Sequence, residues 1–155
     1  MVKYYNFDIV FAEVPDEVTL AVNITGCPHR CAGCHSPHLR EDCGERLDGE
    51  ALAALLGRYG VGITCLCFMG GDGDPHAIAA LAAEVRRLAP QLRVAWYSGC
   101  DALPEGVAPE TFDYIKLGPY VAARGPLSSP DTNQRFYRIG RDGTMEDITY
   151  RFRRR

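Results

Sequence analysis

The segment Gly26-Cys27-Pro28-His29-Arg30-Cys31-Ala32-Gly33-Cys34 sets three thiols at C-x3-C-x2-C spacing on one short loop. Thiolates are soft ligands, and three of them can hold three corners of a four-iron, four-sulfur cube while the fourth iron has no protein ligand. Electron-transfer clusters take four cysteines instead, so three imply an iron open to a small molecule. Zinc is the competing metal, since a structural zinc site takes four ligands and His29, His35 or His38 could complete the set. A third reading makes Cys31-Ala32-Gly33-Cys34 a C-x-x-C redox pair, which leaves Cys27 without a part.

The chain has seven cysteines, an odd number that cannot all pair internally. The expected cytoplasmic location argues against a disulfide framework in any case. Cys65 and Cys67 alternate along an apolar run and would share one strand face, where a free thiol behaves as a small hydrophobe. Cys43 and Cys100 are single thiols with no spacing logic and are read as structural. The four histidines, His29, His35, His38 and His76, are read as solvated loop residues, with His35 set apart because it adjoins Cys34.

Two further segments join flexible backbone to polar groups. Gly70-Gly71-Asp72-Gly73-Asp74 follows an apolar run, and the absence of Cβ lets such glycines approach a ligand closely. The same residues also suit a plain strand-to-helix turn with Asp74 capping the helix before Pro75. Ser98 and Gly99 end the next apolar run, where a hydroxyl and bare backbone could contact a ligand or merely form a turn.

Taken together, the triplet resembles the signature of the radical S-adenosylmethionine (SAM) superfamily. Cys31-Ala32-Gly33-Cys34-His35 and the chain length resemble, more narrowly, the activating proteins of anaerobic ribonucleoside-triphosphate reductase. Gly70-Gly71-Asp72, Trp96-Tyr97-Ser98-Gly99, Tyr114-Ile115-Lys116-Leu117-Gly118 and Thr132-Asn133-Gln134-Arg135 resemble that family's later segments in the same order. The resemblance implies a [4Fe-4S] cluster on Cys27, Cys31 and Cys34, with SAM bound by Gly70, Gly71, Asp72, Ser98 and Gly99. It implies an oxidoreductase that cleaves SAM reductively to a 5′-deoxyadenosyl radical and makes a glycyl radical on the large reductase subunit. Its electron donor would be a reduced flavodoxin or ferredoxin. The family's Gly-Gly-Glu stands here as Gly70-Gly71-Asp72-Gly73-Asp74, with Asp72 and Asp74 both open to the acidic role. Activation of another glycyl-radical enzyme, or a non-catalytic zinc or thiol module, are the alternatives.

These residues need a scaffold, and the apolar pattern supplies one. Thr19 to Ile24 reads as a β-branched strand leading into the cysteine loop. Gly49 to Tyr59 carries Leu52, Leu55 and Leu56 at helical spacing, Gly60 and Gly62 stop it, and Ile63 to Met69 reads as a buried strand. Pro75 opens a second helix marked by Ile78, Leu81, Ala82, Val85 and Leu88 and ending by Pro90. Leu92 to Tyr97 and Phe112 to Leu117 are further strands, with only a helical turn between them. Gln134 to Ile139 reads as a late hairpin or edge strand. Alternating strands and helices imply an α/β fold with a mostly parallel sheet, and 155 residues allow only an open partial (βα) barrel of the radical SAM type. One domain over residues 1–155 is expected, with ligands at the carboxyl ends of the strands, where all three Gly- or Cys-rich segments fall.

Composition excludes other classes. A net charge of -3 with 24% charged residues has no nucleic-acid signature. Acidic residues in the first seventeen positions oppose a secretory signal. Glycines and Arg58 interrupt the most apolar window, Ala51 to Gly71, before it could span a membrane. The only charge run is Arg151, Arg153, Arg154 and Arg155, read as a solvated end.

Overall fold

A computed structural model describes residues 2–25 and 44–153. Eight strands form one open sheet in the order β3-β1-β2-β4-β5-β6-β7-β8. They are β1 (Lys3–Val10), β2 (Thr19–Ile24), β3 (Glu45–Arg46), β4 (Cys65–Met69), β5 (Arg93–Tyr97), β6 (Tyr114–Leu117), β7 (Arg135–Ile139) and β8 (Met145–Asp147). β2, β4, β5 and β6 pair in parallel at the centre, and the flanking pairs are antiparallel, so only β1 and β7 run against the other six. The fold is therefore mixed α/β with an unclosed, mostly parallel sheet, as the alternation of elements predicts.

Parallel neighbours need crossovers. Helix α1 (Gly49–Tyr59) lies on the path from β2 to β4, α2 (Pro75–Leu88) joins β4 to β5, and β5 reaches β6 through a loop with one 3-10 turn at Pro109–Thr111. Each helix starts on an aspartate cap: Asp48 accepts from the Ala51 amide at 2.9 Å, and Asp74 from the Ala77 amide at 3.2 Å. These bonds satisfy amides that a helix start leaves without partners.

Alternation along the strands divides the interior in two. Leu20, Val22, Leu66, Phe68, Val94, Trp96 and Ile115 face the helices and pack with the leucines of α1 and with Ile78 and Val85 of α2. Cys65, Cys67, Ala95, Tyr114 and Phe136 face the other way, under Val14, Leu127, Ile148 and Phe152. Neither α-helix covers this second face; a short 3-10 helix, Thr149–Arg153, reaches it through Phe152. Phe136 organises it, with ring centroids 5.1 Å from Phe152, 5.7 Å from Tyr114 and 6.0 Å from Tyr97. At the amino ends of the strands Glu17, its side chain 9% exposed, accepts from Thr64 Oγ1 at 2.7 Å and Tyr114 OH at 2.9 Å and lies 3.3 Å from Arg93 Nε. That end of the sheet is closed by a satisfied polar cluster, which leaves the carboxyl ends for ligands.

The strand expected over Ile63 to Met69 begins at Cys65, and that over Phe112 to Leu117 at Tyr114. Residues 135–139 form the expected late hairpin, with β8, and the strand lies between β6 and β8 rather than at the sheet edge.

Candidate functional site

The cysteine triplet Cys27, Cys31 and Cys34 lies outside the described residues, as do Cys43, His29, His35 and His38. The structure does define where their segment is attached. Thr25 donates its amide to the Lys3 carbonyl at 3.0 Å and its hydroxyl to the same oxygen at 3.3 Å. At the far side Gly44, with φ +96°, lies so near β1 that an added Cβ would fall on the Tyr4 carbonyl. Both ends of the segment are thus held by adjacent residues of β1. Gly70 lies next to the departure point, since a Cβ there would meet the Ile24 carbonyl at 3.4 Å.

The five expected ligand-contact residues converge at the carboxyl ends of β4 and β5. Gly70 takes φ +102° and Gly71 φ +95°, a left-handed pair that turns the chain from β4 toward α2. Gly70 donates its amide to the Tyr97 carbonyl at 2.9 Å and accepts from Trp96 Nε1 at 2.7 Å. Asp72 accepts from Ser98 Oγ at 2.6 Å through one carboxylate oxygen and from the Gly99 amide at 2.7 Å through the other. Asp74 is the cap of α2, so the two acidic candidates have separate tasks: Asp72 faces the strand-end loops and Asp74 the helix. Gly71 has an internal reason to be glycine, because a Cβ would stand 2.5 Å from the Ile78 side chain.

Further polar links knit the next strand end into the same edge. The Ser98 amide donates to the Lys116 carbonyl at 2.9 Å, and Cys100 accepts from the Gly118 amide at 2.6 Å. Lys116 is 7% exposed, donates Nζ to the Gly118 carbonyl at 2.9 Å and stands 5.5 Å from the Tyr97 ring centroid. Beside these groups, on the face without helices, opens a cavity of about 610 Å³, walled by Met69, Tyr97, Tyr120, Leu127, Gln134 and Phe152. Its size is that of ordinary small-molecule sites, which run to roughly 300–1,000 Å³. Met69 and Tyr97 end β4 and β5, so the cavity adjoins the Gly70–Asp72 and Ser98–Gly99 turns.

Sequence reasoning missed most of this cavity. Tyr120 and Leu127 come from irregular segments with no periodicity, Phe152 from a 3-10 helix too short to carry one, and Gln134 stood only as a member of a late motif without a role. Glu13, which also lines the cavity, bonds Tyr97 OH through its carbonyl.

The donor chemistry of the described residues bears on the metal. Burial holds the thiols of Cys65 and Cys67 far above the ordinary thiol range, and the nearby Glu17 pushes Cys65 the same way. Both are neutral core groups. Cys100 is also shifted upward by burial, and its neighbours include the Asp72 carboxylate. Among the described residues no group of three or more histidine, cysteine or carboxylate side chains could hold a metal ion. No helix among the described residues is long and apolar enough to cross a membrane.

No curated protein and no solved structure matches the chain significantly. Residues 17–105, more than half of the chain, match the family model described as a 4Fe-4S single cluster domain. That stretch runs from Glu17 through the cysteine triplet and both strand-end turns, and the chain belongs to this iron-sulfur family.

Proposed function

We propose that the chain is a radical SAM enzyme that activates the glycyl-radical subunit of anaerobic ribonucleoside-triphosphate reductase. The observation that carries this reading is convergence at one sheet edge. The cysteine segment leaves β2 beside Gly70, and the Gly70–Asp72 and Ser98–Gly99 turns meet through one carboxylate next to a ligand-sized cavity. Membership in a 4Fe-4S family supplies the cofactor class.

In this reading Cys27, Cys31 and Cys34 hold the cluster, and an open partial (βα) barrel of the radical SAM type positions it. The cluster would supply the electron for reductive cleavage of SAM, at the bond from sulfur to C5′, to methionine and the 5′-deoxyadenosyl radical that would take hydrogen from a glycine Cα of the partner. The protein contributes orientation and exclusion of water. The Gly70–Gly71 turn presents bare backbone toward the SAM amino group. Asp72, whose carboxylate joins the two turns, binds that ammonium. Ser98 and Gly99 serve the ribose or methionyl part. The aromatic walls of the cavity keep the reacting atoms dry. A reduced flavodoxin or ferredoxin supplies the electron.

Anaerobic reconstitution tests this. The chain should bind about four irons, show a reduced-cluster EPR signal that SAM alters, and yield 5′-deoxyadenosine under reduction. With the reductase present a glycyl-radical doublet should appear, at one 5′-deoxyadenosine per radical. Stoichiometric zinc without iron would remove the enzyme reading, and SAM cleavage without the doublet would remove the reductase as substrate.

A further inference from the structure

Three aromatic rings connect the cavity to the closed end of the sheet. Tyr97 lines the cavity, and its hydroxyl donates to the carbonyl of Glu13, another wall residue. Its ring centroid lies 6.0 Å from that of the fully buried Phe136, and Phe136 lies 5.7 Å from Tyr114, which is 7% exposed. These are ordinary aromatic contact distances, short enough for an electron to cross from ring to ring. Tyr114 in turn donates its hydroxyl to Glu17 at 2.9 Å, in the polar cluster at the amino ends of the strands.

The surroundings of the two phenols give the row a direction. The Lys116 ammonium stands 5.5 Å from the Tyr97 ring centroid, where its charge opposes removal of an electron from the ring. The Tyr97 hydroxyl has a neutral carbonyl as its acceptor, which cannot take the proton that phenol oxidation releases. Tyr114 has a carboxylate instead, whose charge favours the oxidised ring and whose oxygen can take that proton. An oxidising equivalent that enters at Tyr97 therefore runs downhill to Tyr114.

Resting on the radical SAM reading above, we propose that Tyr97, Phe136 and Tyr114 form a discharge path that clears an unused carbon radical from the cavity when no partner is docked. The radical at C5′ takes the hydrogen atom of the Tyr97 hydroxyl, because a phenolic O–H bond is weaker than the alkyl C–H bond that replaces it. The O–H bond breaks, the C–H bond forms, 5′-deoxyadenosine results and Tyr97 becomes a neutral phenoxyl. An electron then passes from Tyr114 across Phe136 to Tyr97, and the Tyr114 proton moves along its hydrogen bond to Glu17. Tyr97 recovers a proton from water in the cavity. A closed-shell phenol is restored at the site, and one phenoxyl rests on Tyr114, at the opposite end of the parallel strands from the cysteine segment.

The test is freeze-quench EPR on the reconstituted full chain with SAM and reductant but no partner protein. A tyrosyl signal should appear, and fluorotyrosine in place of Tyr114 should split it through the fluorine nucleus without disturbing the fold. Tyr97→Phe should abolish the signal, and Tyr114→Phe should leave a shorter-lived one of different hyperfine pattern. An unsplit signal in the fluorinated protein, an undiminished one in Tyr97→Phe, or 5′-deoxyadenosine with no tyrosyl radical would overturn the path. A second arm omits SAM and oxidises the same protein by a flash, with a ruthenium photosensitiser and a cobalt(III) ammine quencher, after Tyr5→Phe and Tyr150→Phe remove two exposed phenols. The split signal should again form, and Phe136→Leu should slow its appearance; an unchanged rate would count against the path. Oxidation of Tyr114 by the flash in a protein that yields no 5′-deoxyadenosine under reduction would sink the radical SAM reading and leave the aromatic path standing.

Discussion

Ser98 donates its hydroxyl to Asp72 across 2.6 Å, and this bond ties together the loops that leave two neighbouring parallel strands. The Gly99 amide engages the other oxygen, so one carboxylate holds both turns. Asp72→Ala leaves the hydroxyl of a fully buried serine and a backbone amide without their acceptor. Urea denaturation should show a loss of about 1–3 kcal/mol, and Asp72→Asn, which keeps one acceptor, should lose less. Unchanged stability in the alanine variant would show that the link contributes nothing to the fold.

The two glycines of the turn should respond unequally. Gly71→Ala must adopt φ near +95° and also displace Ile78, whereas Gly70→Ala meets only ordinary contact at 3.4 Å. A non-glycine residue in that backbone region costs about 1–3 kcal/mol, so Gly70→Ala should lose about that much and Gly71→Ala clearly more. Adding Ile78→Val to Gly71→Ala should recover part of the difference. Thermal melts of the three variants check this, and a Gly71→Ala protein as stable as Gly70→Ala would contradict the contact.

Closure of the cysteine segment on β1 predicts a remote effect on iron. Gly44→Val cannot keep its approach to the Tyr4 backbone, so one end of the segment must shift. Iron bound per chain after anaerobic reconstitution should fall while far-UV circular dichroism is preserved, because β3 is a two-residue edge strand and carries little of the sheet.

Alkaline pH should destabilise the fold through groups whose ionisation burial opposes. Cys65, Cys67 and Tyr114 all have acid constants raised above their ordinary values, chiefly by burial. A raised value stabilises the fold fully below the unfolded group's range and less as pH climbs, because the unfolded chain releases its protons first. Stability should hold to about pH 8.5 and then fall by about 1.4 kcal/mol per pH unit for each thiol. Denaturation midpoints across pH 7 to 10 measure this, and Cys65→Ala should make the decline shallower. Cys65 and Cys67 should also resist alkylation until the protein unfolds.

Alanine at Cys27, Cys31 or Cys34 should abolish SAM cleavage and lower iron content, since a cube without a corner ligand is labile. Alanine at Cys65 or Cys67 should keep iron and cost only core packing. Complete inactivation by Cys65→Ala, with the cluster retained, would place a core thiol in the site.

Much of this architecture was legible from local patterns. Gly49 to Tyr59 and Pro75 to Leu88 announce helices through leucine spacing, aspartate caps and flanking glycine or proline, all of which act within a few residues. Thr19 to Ile24 and the runs ending at Met69 and Tyr97 are continuous apolar strands because both sheet faces are covered there. β1 was not legible: its register shifts between Tyr4 and Asn6, half its side chains meet water, and the period of two is lost. β3 and β8, of two and three residues, are too short to carry a pattern.

Residue type and spacing determined the chemistry on offer: three soft donors on one loop, two glycine turns and the acidic residues beside them. Tertiary structure decided how these are shared out. Asp74 became a cap and Asp72 a bridge only because α2 begins where it does and β5 lies beside β4. Gln134 became a cavity wall because β7, which begins at the next residue, folds back against β6. Spacing along a chain constrains which neighbours can meet locally, while pairing of distant strands sets which distant polar groups meet.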